Sequence, residues 1–282
     1  MQMNVEMKYA KLFNGFRCYY QHWFPDKPKA LLIMVHGLGD HIGRSNEFVS
    51  FLGCKGYACA LYDQRGHGLS EGKRGHIHSF DTWLDDLDAF ISFSKNELNE
   101  DVPIFLIGGS LGGLIALNYV QKTGKKIRGL VAVSPAIIPT IAIPNWLRKF
   151  VRTVGKVLPS LTVDNRLNWD HMSNDPEEKK ALIDDQLFTR RISFRAAIEI
   201  ERKLEYVMTL ACRIYIPTLM IAGAGDLICD PVGAKRFTDG LSSADKQCII
   251  YDGMLHDVIH DVGRKRVMED IENWIAKRIV KQ

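Results

Sequence analysis

The chain has 282 residues, 46% of them hydrophobic and 25% charged, with a formal net charge of +4. That is ordinary globular usage, with apolar residues enough to bury a sizeable core in one large domain or in one domain carrying an insertion. The charge is too mild, and the Lys and Arg residues too dispersed, for a nucleic-acid binder, so no nucleic-acid partner is expected.

In chain order, the opening Met1-Gln-Met-Asn-Val-Glu-Met-Lys8 lacks the long apolar stretch of a signal peptide. No apolar run reaches the ~20 residues of a membrane span, and a soluble, cytoplasmic protein is expected. Val5–Phe13 and Phe16–Phe24 flank Asn14-Gly15 and read as a hairpin with an Asn-Gly turn. Strand-like and helix-like runs then alternate: strand Ala30–Val35, helix Ser45–Lys55, strand Tyr57–Tyr62, and helix Phe80–Leu98 with Trp83, Leu84, Leu87, Phe90 and Ile91 on one face. Strand Ile104–Ile107, helix Leu111–Gln121 and strand Ile127–Val133 follow. Strand Pro217–Ala222, helix 231–241, strand Cys248–Tyr251 and helix 261–279 close the series. This alternation argues for an α/β fold, a mostly parallel sheet covered by helices on both faces. The rhythm breaks between Pro135 and Ile216, where about 80 residues read as helices without strands. That gives a main domain of residues 1–135 and 217–282 with an inserted helical cap, or lid, at 136–216. The six cysteines, Cys18, Cys54, Cys59, Cys212, Cys229 and Cys248, form no C-x-x-C pair, and several sit in apolar runs. Buried free thiols in a reducing compartment are expected rather than a disulfide framework.

The apolar run Ile104–Ile107 breaks into Gly108-Gly109-Ser110-Leu111-Gly112 and a helix follows. This is the G-x-S-x-G pattern of a nucleophile elbow, a strand-to-helix turn that exposes a serine hydroxyl. A serine needs a base, and the base an orienting acid. In α/β-hydrolases these follow in the order Ser, Asp or Glu, His, at the carboxyl ends of parallel strands. Pro217–Ala222 runs out into Gly223-Ala-Gly-Asp226, and Cys248–Tyr251 into Asp252-Gly-Met-Leu-His256. Asp226 and His256 are thus the candidate acid and base for Ser110. Asp230 is the rival acid, although its place before Pro231 suits a helix cap. His260 is the rival base and reads as the opening of the last helix. The oxyanion donors are expected at Leu111 N–H, after the nucleophile, and at Leu38 N–H in His36-Gly-Leu-Gly39. His36 itself reads as a turn residue. His76 and His78 have no acidic or thiol partner at ligand spacing, so no metal is expected there.

His36-Gly-Leu-Gly-Asp-His41, Tyr62-Asp-Gln-Arg-Gly-His-Gly-Leu-Ser-Glu-Gly72, the serine elbow, the Gly225-Asp226 segment and Gly253-Met-Leu-His256 stand in order along residues 15 to 280. Together they resemble the monoacylglycerol lipase and lysophospholipase branch of the α/β-hydrolase superfamily. The resemblance implies a carboxylic ester hydrolase with a mobile helical cap, a lipid ester as substrate, and no metal or cofactor. It implies that Asp40 and Arg44 match the side chains that contact the glycerol head in monoacylglycerol lipases; the alternative is a local salt bridge pinning the loop. It implies a structural role for the loop holding Asp63, Arg65 and His67. Two positions depart from the branch: Ile259 stands where its lipases commonly carry a second histidine, with His260 one further on, and Gly109 stands where the mammalian enzymes have a histidine before the nucleophile.

The inserted segment opens with Pro144–Leu158. Trp146, Leu147, Phe150, Val151, Val154, Val157 and Leu158 share one helical face, and Arg148, Lys149, Arg152 and Lys156 the other. Such a helix either packs its apolar face on the main domain, lining an acyl tunnel, or lies transiently on an anionic membrane. The sequence is silent on oligomeric state.

Overall fold

The computed structural model describes residues 6–123, 127–140 and 143–279. Val5, the first residue of the expected hairpin, lies outside them. Eight strands make one sheet in the order β1-β2-β4-β3-β5-β6-β9-β10. They are β1 (Glu6–Lys11), β2 (Arg17–Trp23), β3 (Leu31–Val35), β4 (Ala58–Tyr62), β5 (Ile104–Gly109), β6 (Gly129–Val133), β9 (Thr218–Gly223) and β10 (Lys246–Tyr251). β1 pairs with β2, and β2 with β4, antiparallel; every later pairing is parallel. The hairpin ladder stops at Lys11↔Arg17, so the turn spans 12–16 rather than Asn14-Gly15 alone, with Gly15 at φ +85°.

The inner strands carry unbroken apolar runs because both faces of the sheet are covered. Along β3, Leu31, Ile33 and Val35 enter the core layer shared with α2 (Phe80–Leu98) and α3 (Leu111–Thr123). Leu32 and Met34 enter the opposite layer, shared with α1 (Asn46–Cys54) and α8 (Arg264–Ile279). α2 starts where the Ser79 side chain accepts from Asp81 N–H, and its expected face is buried. α7 (Pro231–Gly240) starts on the Asp230 carboxylate, which accepts from Val232 N–H at 2.8 Å. α8 begins at Arg264, three residues later than the sequence pattern places it.

The segment between β6 and β9 differs from expectation. It holds α4 (Asn145–Val157), α5 (Pro176–Asp184) and α6 (Phe194–Val207), but also a two-stranded ladder of β7 (Thr162–Asp164) and β8 (Arg191–Ser193). Three residues are too few to display a period of two, and the central partners Val163 and Ile192 lie 29 residues apart in the chain, the ladder bound further by the Arg191 guanidinium on the Thr162 carbonyl at 2.8 Å. Only part of the apolar face of α4 is used. Gly155 is buried against Ile198 and Phe194 of α6, while Trp146 is 71% and Val157 79% exposed. Among the described residues, no helix is long and apolar enough to cross a membrane.

Candidate active site

β5 delivers Ser110 at the carboxyl edge of the sheet with φ +51°, a conformation that costs a non-glycine residue energy and persists only where the surroundings enforce it. The enforcement is visible. Ser110 N–H donates to Val133 O at 2.9 Å, and Ser110 O accepts from Leu114 and Ala136 N–H. A Cβ on Gly108 would meet Gly112 O at 2.4 Å, so the chain can fold back on itself there only as glycine. Nothing lies within 4 Å of a Cβ built on Gly109.

The three side chains that the sequence reading singles out meet in succession. Ser110 Oγ lies 3.0 Å from His256 Nε2, and His256 Nδ1 lies 2.8 Å from Asp226 Oδ2. Asp226 is held by Ile228 and Cys229 N–H, both donating to Oδ1. The rivals are placed elsewhere. Asp230 caps α7. His260 does not open the last helix; it sits in the turn before it, with Nδ1 2.9 Å from Asp257 Oδ1 and Nε2 2.9 Å from Arg44 O.

The loop after β3 folds over the serine. A Cβ on Gly37 would lie 3.4 Å from Ser110 Cβ, and Leu38 lines the same cavity as Ser110 and His256. Leu111 opens α3, so its N–H has no carbonyl one turn earlier within the helix. His36 is buried behind this loop, bonded to Gly37 O and Gln64 N–H. Asp63 accepts from Ile42 and Leu69 N–H, and Arg65 pairs with Asp86, so the 62–72 loop is tied from within and to α2. His76 bonds Ser193 Oγ at 2.8 Å.

Residues 26–263 match the family described as serine aminopeptidase, S33. The chain belongs to that family. Among solved structures, the monoacylglycerol lipase of Paleococcus ferrophilus superposes with a TM-score of 0.84 at 30% identity, covering 93% of this chain and 99% of that one. Phospholipase YtpA of Bacillus subtilis is 27% identical over 88% of this chain and 95% of its own length. An abhydrolase-domain-containing protein of Dictyostelium discoideum is 31% identical over 91% of this chain, which spans only 27% of that longer protein. The resemblance drawn from the motifs is thereby borne out, in fold and in branch.

The cavity of this hydrolase runs from Ser110 and His256 past Met34, Leu61 and Ile107 on the central strands, Ile42 in the turn before α1, and Phe48 on α1. The inserted segment contributes Leu167, Met172 and Phe188, whereas α4 does not line the cavity. The expected lid tunnel is therefore walled mostly by strand ends and loops outside the inserted segment. Asp40 lines the cavity; the Arg44 guanidinium reaches Asp40 at 3.4 Å and Asp257 at 3.0 Å. Cys18, Cys59 and Cys229 are buried free thiols, and burial pushes Cys18 up to about 12. Cys54 and Cys212 differ from expectation in being exposed.

Sequence reading missed Asp257, Asp261 and the strip 171–174. The acid-rich run Asp252–Asp261 was the available signal, since three carboxylates around two histidines ask for partners. Burial alone would raise the Asp257 carboxyl, but the charges of His260 and Arg44 outweigh it and hold it below its usual value. Burial alone would lower His260, but Asp257 outweighs it and holds the imidazolium above its usual 6.5. A raised histidine stabilises the fold fully below its unfolded value, and that contribution is lost as pH rises through the folded one. Melting temperature is therefore expected to decline as pH increases from 6.5, with a smaller decline in His260→Gln. Calorimetry from pH 6 to 9 checks this, and equal slopes in both proteins would rule it out.

Proposed function

We propose that this carboxylic ester hydrolase cleaves single-chain lipid esters, monoacylglycerol ahead of lysophospholipid, through an acyl-enzyme. Ser110 attacks the ester carbonyl while His256 Nε2 takes its proton. Asp226 holds the other ring nitrogen and offsets the imidazolium charge. The N–H groups of Leu38 and Leu111 receive the oxyanion. His256 then protonates the departing alcohol, and water activated by the same imidazole releases the fatty acid. The observation that carries this reading is the unbroken hydrogen-bond run from Ser110 through His256 to Asp226, opening onto an apolar cavity.

A neutral head group is favoured by the charged end of that cavity. Asp40, Asp257 and His260 line it, and the Arg44 guanidinium is already engaged by both carboxylates. A phosphate would find the Arg44 guanidinium already occupied by these carboxylates, whereas glycerol hydroxyls can donate to the carboxylate oxygens. The test is a panel of monoacylglycerols, lysophospholipids, triacylglycerols and aminoacyl amides compared by kcat/KM. Monoacylglycerol should lead; faster aminoacyl amide cleavage would make the protein a peptidase. Each buried methylene is worth ~0.8 kcal/mol, so rates should climb with acyl length. A flat profile from acetyl to myristoyl esters would remove the apolar-pocket argument and leave a short-chain carboxylesterase. A non-catalytic receptor on the same fold would fail to react with a fluorophosphonate probe.

Two carboxylates separate cleanly by mutation. Asp226→Asn is expected to lower kcat about 10⁴-fold, because the wrong imidazole tautomer is then favoured. Asp230→Ala is expected to cost about 1 kcal/mol of stability through a lost helix cap and to leave kcat unchanged. The reverse pattern in paired kinetics and melts would exchange their roles.

In this reading residues 1–135 and 217–282 are the catalytic domain and 136–216 the cap. The exposed Trp146, Phe150 and Val157 of α4, beside Lys149 and Lys156, make transient contact with an anionic bilayer. Trp146→Ala combined with Phe150→Ala is expected to weaken co-sedimentation with phosphatidylglycerol vesicles by about 10-fold or more. Unchanged binding would restrict α4 to cap packing.

A further inference from the structure

Asp261 is fully buried, and among the described residues no cation pairs with it. Its charge is met by neutral donors alone. Oδ1 accepts from Asn174 N–H at 2.6 Å and Val262 N–H at 2.7 Å, with the Ser173 hydroxyl at 3.3 Å. Oδ2 accepts from Leu255 N–H at 2.7 Å and from Asn174 Nδ2 at 3.3 Å. A buried carboxylate without a cation is costly unless its lone pairs are used, so the donors around it are held in a fixed geometry.

What it fixes is the base. Leu255 immediately precedes His256. Asn174 Nδ2 also donates to Gly253 O at 2.9 Å, and Ser173 Oγ, whose one proton lies between Asp261 Oδ1 and His260 O, is 3.0 Å from His260 O. The main chain repeats the link: His256 N–H donates to His171 O at 3.3 Å, and Asp257 N–H to Met172 O at 2.7 Å. The loop after β10 and the strip 171–174 of the inserted segment thus form one hydrogen-bonded unit with Asp261 at its centre. The Asp226 bond orients the His256 ring; this unit fixes the backbone from which the ring projects.

We propose that Asp261 is a positioning residue for His256, acting through Leu255 and through Ser173 and Asn174 of the inserted segment. The proposal rests on His256 being the base of the reaction above. It also divides the inserted segment: residues 171–174 are a static part of the site, and any opening movement is confined to other parts such as α4.

The test uses the full chain with Asp261→Asn and, separately, Asn174→Ala. Both Asp261 oxygens face N–H donors, so the amide of Asp261→Asn must turn its NH₂ toward N–H groups in either orientation. Asn174→Ala removes the side-chain bridge and leaves the carboxylate and its main-chain donors. Asp261→Asn should lower kcat on p-nitrophenyl esters about 10- to 100-fold, with KM changed less than about threefold, the range expected when a catalytic group is displaced by a fraction of an ångström to 1 Å. Asn174→Ala should lower it less. Fluorophosphonate labelling per folded molecule should slow by the same factor. The downfield proton resonance of the His256–Asp226 bond should shift or broaden in both variants. A purely structural role moves none of these. Unchanged kcat, labelling rate and resonance in folded Asp261→Asn overturn the proposal. If that variant does not fold, the same unchanged readings in Asn174→Ala overturn it. A wild-type protein that is not labelled at all would overturn the functional reading and this proposal with it, whereas a labelled wild type with equally labelled variants overturns only this one.

Discussion

Ser110→Ala is expected to lower kcat on lipid and p-nitrophenyl esters by about 10⁶-fold while leaving the melting temperature within a degree or two of wild type. The size of the loss follows from the arrangement. In the proposed reaction the hydroxyl is the only part of the His256–Asp226 run that forms a bond to the substrate, and without it the imidazole has no nucleophile to activate. The oxyanion donors and the cavity remain, so a residual acceleration over water of about 10³–10⁴ survives. Stability should hardly move, because alanine suffers the same left-handed strain as serine at φ +51° and the main-chain bonds to Val133, Leu114 and Ala136 are untouched. Steady-state kinetics, circular dichroism melts and fluorophosphonate labelling together check this. Turnover above about 1% of wild type in a folded, unlabelled variant would mean another nucleophile, and the reaction scheme would collapse with it.

The core of the fold was legible because burial on both faces leaves no room for polar alternation. β3, β4, β5, β6 and β9 are apolar runs bounded by breakers, and each stands where the pattern puts it. The edge was less legible for the complementary reason. β10 begins at Lys246-Gln247, two polar residues that an edge strand tolerates and an apolar-run criterion discards. The last helix was read from position 261, but the Asp261 carboxylate is occupied by Leu255, Asn174 and Val262 and the helix begins only at Arg264. Ser173-Asn174-Asp175-Pro176 has the composition of a helix start. Asp175 does cap α5, so the same residues gave no separate sign that Ser173 and Asn174 bind the loop of His256. The meeting of Ser110, His256 and Asp226 was legible from strand ends and spacing. What supports His256 from behind was not, since those partners lie some 80 residues away and no periodicity links them.

Gly112→Ala is expected to destabilise the protein by about 3 kcal/mol or more, a drop of roughly 6 °C or more in melting temperature at this chain length, or to prevent folding outright. At an ordinary helix position the same change stabilises by about 1 kcal/mol, because glycine is the poorer helix former. Here the sign reverses for a steric reason. A Cβ on Gly112 would lie 2.0 Å from Val35 O and 2.5 Å from His36 O, which are backbone atoms at the end of β3 and cannot swing aside as a flexible side chain can. To admit it, α3 must lift from β3, and the loop carrying Leu38 must move relative to Ser110; any folded fraction should therefore also lose about 10²-fold in kcat. Gly109→Ala is the matched control. Nothing lies within 4 Å of its Cβ and its φ is not among the positive ones, so its melting temperature should stay close to wild type. The two glycines are three positions apart in one motif and look alike in the sequence, yet only Gly112 is pressed against a carbonyl. Equal melts for the two variants would mean that α3 does not pack on β3 at this distance.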